Sequence, residues 1–270
     1  MKAIGCNDFG PIQNIEYKDV KEPIIQDKSV IINVKSVGVN FPDGLLVQGK
    51  YQLKPETPFI PGMEVAGEIL KVGTDISHFK TGDRVAALSQ LSGYAEQAVV
   101  NEKSVFKIPD KMSFDDSCAL LCAYGTSHYA LKQRAKLKKN ELLVVLGASG
   151  STGIAAIQIG KIIGAKVIAV SSNVEKQKIA RDNGADISIG YDNLKEELKS
   201  ISNGKGVDVI FDPVGGDIFD TVARTMARSG RLLVIGFASG TIPKLAVNLA
   251  LVKEFSVCLL YTSPSPRDPH

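Results

Sequence analysis

The chain lacks the features that mark membrane and secreted proteins. None of its 270 residues lie in an apolar run long enough to cross a bilayer, because a spanning helix needs about 18 or more apolar residues. The first ten residues, MKAIGCNDFG, enter a predicted strand and do not have the profile of a signal peptide. We therefore expect a cytoplasmic protein without a membrane partner.

The chain also lacks the charge pattern of a nucleic-acid-binding protein. Its net charge is only +3, and its one dense basic run is Lys136, Lys138 and Lys139, which is typical of a solvated helix end. Basic and aromatic residues are not interleaved as they are in many nucleic-acid-binding modules. We expect a small-molecule substrate and no nucleic acid.

Cysteine and histidine are scarce and lack the spacing of a disulfide framework or a metal site. There are four cysteines and three histidines, and the histidines have no ligand partners at useful spacing. Cys118 and Cys122 share one face of a predicted helix, where cysteines are more often small core residues than ligands. We expect no bound metal.

The strongest signal that is present is a glycine-rich turn between a strand and a helix. Leu142–Leu146 is continuously apolar and predicts a strand buried on both faces. Gly147, Gly150 and Gly153 follow at intervals of three, where the backbone must approach a pyrophosphate. The next helix offers free N–H groups and the positive end of its dipole. This order predicts a dinucleotide site.

Strands and helices alternate after this turn. Strands are predicted at Lys166–Ser171, Asp186–Gly190, Val207–Phe211 and Arg231–Phe237. Helices are predicted at Val174–Asn183, around Leu194, Leu198 and Ile201, and at Asp217–Arg228. Such alternation predicts a parallel sheet with right-handed crossovers. A flavodoxin-like domain without a nucleotide is the alternative.

The first 115 residues have a different pattern. Their strand-like segments are Ser29–Ser36, Val65–Val72, Arg84–Leu88 and Ala95–Val100. Glycine and proline turns separate these segments and indicate a β-rich module. We therefore predict an α/β protein with two domains, residues 1–115 and 116–257, joined by a helix near residues 113–126.

The end of the second strand of the alternating part indicates the cofactor. NAD-binding domains usually place Asp or Glu there to accept hydrogen bonds from the ribose 2′-OH. This chain has Ser171, followed by Ser172 and Asn173, so no carboxylate at that position repels a 2′-phosphate. Lys176 lies one helical turn further on, where it can pair with a phosphate or be an ordinary solvated lysine. We expect NADPH to be preferred over NADH.

A set of motifs resembles one known family. The motifs are VGVNFPD (37–43), PFIPGMEVAGEILKVG (58–73), GDRV (82–85), GASGSTG (147–153), DPVGGD (212–217) and RLLVIGFASG (231–240). They look like the zinc-independent quinone oxidoreductases of the medium-chain dehydrogenase/reductase superfamily, closest to the quinone oxidoreductase-like branch. The resemblance implies a GroES-like partly open β-barrel followed by a Rossmann doubly wound parallel sheet, with NADPH and substrate in the cleft between them.

The resemblance also implies which residues form the site. It implies that Asn40 lies beside the nicotinamide and the substrate, and that Asp43 supports this wall. The cofactor residues that it implies are Gly150, Ser151, Thr152 and Gly153 at the pyrophosphate, Ser171, Lys176 and Tyr191 around the 2′-phosphate, Thr126, and Phe237 with Ala238 beside the nicotinamide. Tyr51 could donate a proton to a developing enolate, or it could be an ordinary half-buried loop tyrosine. Leu45 replaces a tyrosine that many relatives carry, so substrate choice stays open.

Zinc-dependent relatives carry Cys and His where this chain has Asn40 and Met63. Catalytic zinc needs thiolate or imidazole ligands, which an amide and a thioether do not replace. Without a Lewis acid, the expected acceptor is a quinone or an activated enone, which can take a hydride from NADPH once held against it. Reduction of enoyl thioesters and NADPH binding without catalysis remain as alternatives.

The last residues depart from the family. Relatives continue with a helix and a strand that return to the first domain, whereas residues 258–270 read CLLYTSPSPRDPH. Ser263–His270 consists mainly of proline, serine and charged residues, which cannot form a packed core. We expect residues 258–270 to be a non-native tail on a truncated chain, and the intact parent to be a homodimer.

Overall fold

The computed structural model describes residues 1–260, so the expectation for Ser263–His270 lies outside the described part. The chain divides into two compact units between Cys122 and Ala123, seven residues after the boundary predicted from sequence. The difference arises because Cys118 packs with Ala66 and Ala86 in the core of the first unit. Within the described residues, no helix combines the length and the apolar character needed to span a bilayer.

The first unit is built mainly of antiparallel strands. Its strands are β1 (Lys2–Gly5), β2 (Glu16–Asp19), β3 (Ser29–Gly38), β4 (Glu64–Val72), β5 (Arg84–Leu88), β6 (Gln97–Asn101) and β7 (Val105–Lys107). Its helices are α1 (Phe41–Val47) and the start of α2 (Phe114–His128), with 3-10 turns at Ile12–Asn14 and Glu102–Ser104. Strands β1 and β2 pair with each other, and the other five form a sheet in the order β6-β3-β4-β5-β7.

The five-stranded sheet is irregular along β3. Its pairing with β4 shifts register between Ile31 and Ile32 and again between Val34 and Ser36, and such bulges bend and twist a strand. Apolar residues from β3 to β7 pack together in one core cluster, including the buried Val30, Ile32, Val65, Ile69 and Val85. The antiparallel pairing agrees with the expected GroES-like module.

The second unit alternates strands and helices, as the sequence predicts. Its strands are β8 (Leu142–Leu146), β9 (Lys166–Val170), β10 (Ile187–Ile189), β11 (Val207–Asp212), β12 (Met226–Val234) and β13 (Ser256–Leu259). Its helices are the end of α2, a π-helical segment (Tyr129–Arg134), α3 (Ser151–Ile163), α4 (Val174–Asp182), α5 (Leu194–Ile201), α6 (Ile218–Ala223) and α7 (Val247–Lys253). The parallel sheet has the order β10-β9-β8-β11-β12-β13.

This strand order positions the ligand edge of the sheet. The order reverses between β8 and β11, and doubly wound sheets bind ligands at such a switch point, beyond the carboxyl ends of the strands. Strand β8 is buried along its whole length, as expected for a central parallel strand. The glycine turn follows β8 directly and therefore lies at this edge.

Two predicted elements differ from the structure. The helix predicted over Asp217–Arg228 ends at Ala223, and β12 begins at Met226, because Met226 is buried and pairs with Val207. The strand predicted over Arg231–Phe237 is the second part of β12, which ends at Val234.

The second unit also continues past residue 257, the end predicted for the domain. Cys258 and Leu259 pair in register with Leu233 and Val234. The first residues of the predicted tail therefore complete the sixth strand of the sheet in this structure.

Candidate active site

The turn after β8 has the geometry of a phosphate cradle. Gly147 has φ of +57°, a backbone conformation that favours glycine. A Cβ added at Gly153 would lie 2.5 Å from Gly147 O, so only glycine allows this close approach. None of the side chains in residues 1–260 caps helix α3, and the N–H groups of Ser151 and Thr152 in its first turn have no intrahelical acceptor. These donors suit a phosphate group.

The end of β9 presents hydroxyl groups and an ammonium. Ser171 is only 2% exposed, and its Oγ has no hydrogen-bond partner among the described residues. Asn173 caps α4 by accepting a 2.8 Å hydrogen bond from Lys176 N. The Lys176 side chain is exposed, with Nζ 3.5 Å from Ser172 Oγ. Glu175, the nearest carboxylate along the chain, is exposed on the same turn. Ser171 is thus a buried polar group that a ligand hydroxyl or phosphate could satisfy.

The structure places Tyr191 at the glycine turn. Its hydroxyl accepts a 3.1 Å hydrogen bond from Gly147 N, so the tyrosine predicted to lie near the 2′-phosphate contacts the glycine turn. Burial raises the pKa of Tyr191, and the nearby Asp212 raises it further. Tyr191 therefore keeps its proton at neutral pH and can still donate it in a hydrogen bond.

Asp212 is a buried carboxylate that was not predicted as a site residue, although it begins the DPVGGD motif. Its Oδ1 accepts hydrogen bonds from Val214 N (2.8 Å) and Gly215 N (2.9 Å). Its Oδ2 is buried and has no partner in the described part of the chain. Burial raises the pKa of Asp212, while the two backbone hydrogen bonds act to lower it. This carboxylate fixes the loop that follows β11.

The loop after β11 supports the loop after β12. Ala238 N donates to Pro213 O (3.0 Å), and Gly216 N donates to Thr241 O (3.0 Å). Phe237 is half-buried against the core cluster that contains Phe219, whereas Ala238 is exposed. Both residues thus lie beyond the carboxyl ends of the strands, the same edge of the sheet as the glycine turn.

Thr126 lies in the part of α2 that belongs to the second unit. It is half-buried, and the adjacent Ser127 donates a 2.9 Å hydrogen bond from Oγ to Thr152 O. This bond ties α2 to the first turn of α3. Thr126 is therefore adjacent in sequence to the residue that contacts the first turn of α3.

The first unit contains a separate polar cluster around Asn40. Asn40 precedes α1, and its backbone N–H donates to Asp43 Oδ2 (2.8 Å). Tyr94 OH donates to the same oxygen (2.9 Å). Burial raises the pKa of Asp43, although the hydrogen bonds from Asn40 and Tyr94 act to lower it. The carboxylate of Asp43 thus holds the backbone of Asn40 in place.

Glu64 completes this cluster and was not predicted as a site residue. Its Oε2 accepts from Asn40 Nδ2 (3.0 Å), and its Oε1 accepts from Cys122 N (2.6 Å). Burial raises the pKa of Glu64, whereas the hydrogen bonds from Asn40 and Cys122 act to lower it. The sequence signal is a carboxylate at the first position of β4, directly before the buried apolar residues Val65 and Ala66.

Tyr51 is half-buried in the first unit, where it packs against an apolar cluster formed by Cys6, Leu46, Val47 and Phe59. This environment suits the ordinary half-buried tyrosine that was the alternative to a proton donor. The role of Tyr51 in proton transfer stays a prediction.

Comparisons with known proteins identify the family. Residues 26–110 match the alcohol dehydrogenase GroES-like domain, and residues 151–266 match a family described as zinc-binding dehydrogenase. Quinone oxidoreductase-like protein 2 of Bos taurus is 42% identical over 240 residues, which are 88% of this chain and 69% of that protein. Quinone oxidoreductase of Homo sapiens is 35% identical over 246 residues, 90% of this chain and 74% of that protein. The chain belongs to the quinone oxidoreductase-like proteins of the medium-chain dehydrogenase/reductase superfamily.

Solved structures agree with this family. Escherichia coli quinone oxidoreductase, solved with NADPH, superposes with a TM-score of 0.92 at 27% identity, covering 97% of this chain and 81% of that one. The quinone oxidoreductase of Pseudomonas syringae pv. tomato has a TM-score of 0.92 at 30% identity, covering 97% and 81%. The predictions of family, fold class and oxidoreductase class are thus confirmed.

The chemistry of the side chains in this quinone oxidoreductase-like protein does not suit zinc, although one matching family is named for it. Asn40 Nδ2 donates to a carboxylate, so its nitrogen is not a metal donor. Burial, followed by the charge of Glu64, raises the pKa of both Cys118 and Cys122 to about 12. Zinc binds the thiolate, so this raised pKa makes the loss of the thiol proton on metal binding more costly at both residues. Across residues 1–260, no group of three or more His, Cys, Asp or Glu is arranged to hold a metal ion.

Proposed function

We propose that this protein transfers a hydride from NADPH to a quinone or an activated enone without using zinc. The observation that carries the proposal is the glycine cradle after β8, followed at the end of β9 by the buried Ser171 and the exposed Lys176. Relatives named quinone oxidoreductase, of which some were solved with NADPH, support it. NADPH supplies the hydride when it is bound, and the chain supplies binding and orientation.

The second unit would bind the cofactor along the carboxyl edge of its sheet. In this proposal Ser151, Thr152 and Gly153 donate backbone N–H groups to the pyrophosphate, and Gly150 admits it to the helix N-terminus. Ser171 Oγ would hydrogen-bond the adenosine 2′-phosphate. Further contacts with the cofactor would come from the Lys176 ammonium and from the side chains of Tyr191 and Thr126. Phe237 and Ala238 would flank the nicotinamide.

The first unit would orient the acceptor with Asn40, supported by Asp43. Quinones and enones carry a carbonyl that withdraws electrons from the carbon receiving the hydride, so positioning can replace much of the polarisation that a metal would provide. The charge that develops on the acceptor oxygen needs a proton or a hydrogen-bond donor. Tyr51 is the proposed proton donor. A cytoplasmic homodimer remains a prediction.

The proposal is tested by following NADPH oxidation at 340 nm with a small quinone, a 2-enone and crotonyl-CoA in parallel. We expect turnover with the first two acceptors, faster with NADPH than with NADH. Ser171→Asp should reverse the cofactor preference, because a carboxylate at this position repels the 2′-phosphate and accepts from a ribose hydroxyl. Turnover with crotonyl-CoA alone would favour the enoyl-thioester alternative, and tight NADPH binding without any turnover would favour a non-catalytic protein.

A further inference from the structure

Glu64 is a buried carboxylate that accepts hydrogen bonds from one side-chain donor and one backbone donor. It is only 2% exposed, Oε2 accepts from Asn40 Nδ2, and Oε1 accepts from Cys122 N. A carboxylate offers acceptors on both oxygens and no donor when ionised. Both of its oxygens are therefore matched to a hydrogen that points at them, and the amide nitrogen of Asn40 is turned toward Glu64.

We propose that Glu64 is a positioning residue that fixes the orientation of the Asn40 side-chain amide. The amide nitrogen of Asn40 faces Glu64, and its oxygen is left for the ligand. The proposal rests on the proposed function, in which Asn40 lies beside the nicotinamide and the acceptor. An isolated asparagine amide can exchange its oxygen and nitrogen by rotating half a turn. A carboxylate opposite it permits only one of these two orientations.

Glu64 is held so that it cannot follow a rotation of Asn40. A Cβ added at Gly38 would overlap Glu64 Oε2, which shows that the carboxylate packs directly on the backbone of β3. Cys122 N is a backbone donor in α2 and cannot be reoriented. On the other side, Asp43 Oδ2 holds the backbone of Asn40 and is itself held by Tyr94 OH. Among the groups named here, the side-chain amide of Asn40 is the one that can rotate.

Replacing Glu64 by glutamine predicts a specific change. Glutamine has the same shape but one acceptor and one donor group, so it cannot accept from both Asn40 and Cys122. Because the backbone N–H of Cys122 is fixed, the glutamine oxygen should face it and the glutamine NH2 should face Asn40. The Asn40 side chain must then rotate so that its amide oxygen accepts from this glutamine NH2 group. Glu64→Gln should thus invert the Asn40 amide while keeping its hydrogen bonds.

The orientation can be read without cofactor or substrate. In cofactor-free protein labelled with 15N-asparagine, one side-chain amide proton of Asn40 should be shifted downfield by its hydrogen bond to the carboxylate. The shift should vanish in Glu64→Gln and persist in the control Glu68→Gln, since Glu68 lies on the same strand outside this cluster. An unshifted Asn40 resonance in the wild-type protein, or a shifted one that survives Glu64→Gln, would overturn the proposal.

Kinetics provide a second test, with a double variant, the swapped pair, in which the carboxylate and the amide of Glu64 and Asn40 are exchanged. Glu64→Gln should lower kcat/KM about tenfold, the effect of one misplaced polar contact, with little change in melting temperature. Adding Asn40→Asp to Glu64→Gln returns a carboxylate opposite an amide and should recover part of the lost activity.

The possible outcomes are distinguishable. Equal kinetics of Glu64→Gln and Glu68→Gln, or no recovery in a folded swapped pair, would overturn the positioning role. If Glu64→Gln does not fold, the wild-type resonance and the swapped pair still decide the matter. If the wild-type protein oxidises no NADPH with any acceptor, the proposed function fails, and the resonance of cofactor-free protein still tests the positioning role.

Discussion

Gly153→Ala should weaken NADPH binding about tenfold to a hundredfold. The added Cβ would lie 2.5 Å from Gly147 O and 2.8 Å from Ala148 Cα, whereas real Cβ contacts essentially never fall below 3.0 Å. Both atoms belong to the backbone, so the turn itself must open by about half an ångström or more. A charge-assisted hydrogen bond is worth roughly 1.5–3 kcal/mol, and losing about one of them at the pyrophosphate corresponds to that loss of affinity.

The measurement is a fluorescence titration with NADPH, paired with thermal unfolding. The matched control is Gly125→Ala in α2, where an added Cβ meets no atom within 4 Å and alanine favours the helix. We expect the control to bind NADPH like the wild-type protein and to melt at the same temperature or higher. Overpacking at Gly153 should also cost about 1–3 kcal/mol of stability. If Gly153→Ala binds NADPH as tightly as Gly125→Ala, the turn is not the pyrophosphate site.

Three other perturbations test the cofactor contact of Lys176, the independence from zinc and the ion pair of Glu141. Lys176→Ala should weaken NADPH binding about tenfold and leave NADH binding unchanged, whereas Lys178→Ala on the same helix should affect neither, as measured by titration. Exhaustive chelation should leave quinone reduction intact, and elemental analysis of active protein should find less than about one zinc per ten chains. Burial acts to raise the pKa of Glu141, but hydrogen bonds from Arg231 and Lys138 N outweigh it and keep that pKa below its ordinary value. Glu141 therefore stabilises the fold above its unfolded pKa and loses this effect as the pH falls through its folded pKa, so the wild-type protein should lose more stability on acidification than Glu141→Gln. If the wild-type protein and Glu141→Gln lose the same free energy of unfolding between pH 7 and pH 3, as measured by urea titration, the ion pair does not stabilise the fold.

The sequence was most informative where structure depends on neighbours along the chain. The glycine turn, the buried strand before it and the helix after it follow from a local pattern, and the structure places them as predicted. The start of β12 was missed because Met226 and Ala227 fit a helical pattern as well as a strand. Pairing with Val207, a contact made across the sheet, decides between the two.

The polar cluster of the first unit was harder to find from sequence. Asn40 and Glu64 are 24 residues apart, and Cys122 lies 58 residues beyond Glu64. No periodicity joins positions on a strand, a loop and a helix. The local sign was an acidic residue at the first position of a strand that continues with the buried apolar residues Val65 and Ala66. A carboxylate buried at such a position needs a hydrogen-bond partner.

The hydrogen bond from Gly147 N to Tyr191 OH limits how freely this enzyme could be redesigned. Tyr191 follows β10, a three-residue strand at the edge of the sheet, in a region where an engineer would exchange residues to alter the choice between NADPH and NADH. Any exchange that moves the tyrosine also removes a support of the glycine turn. In the proposed cofactor site, affinity for the pyrophosphate, which both cofactors share, would then change together with discrimination at the 2′ position. A successful redesign would therefore keep Tyr191 and alter only the residues at the end of β9 and the start of α4.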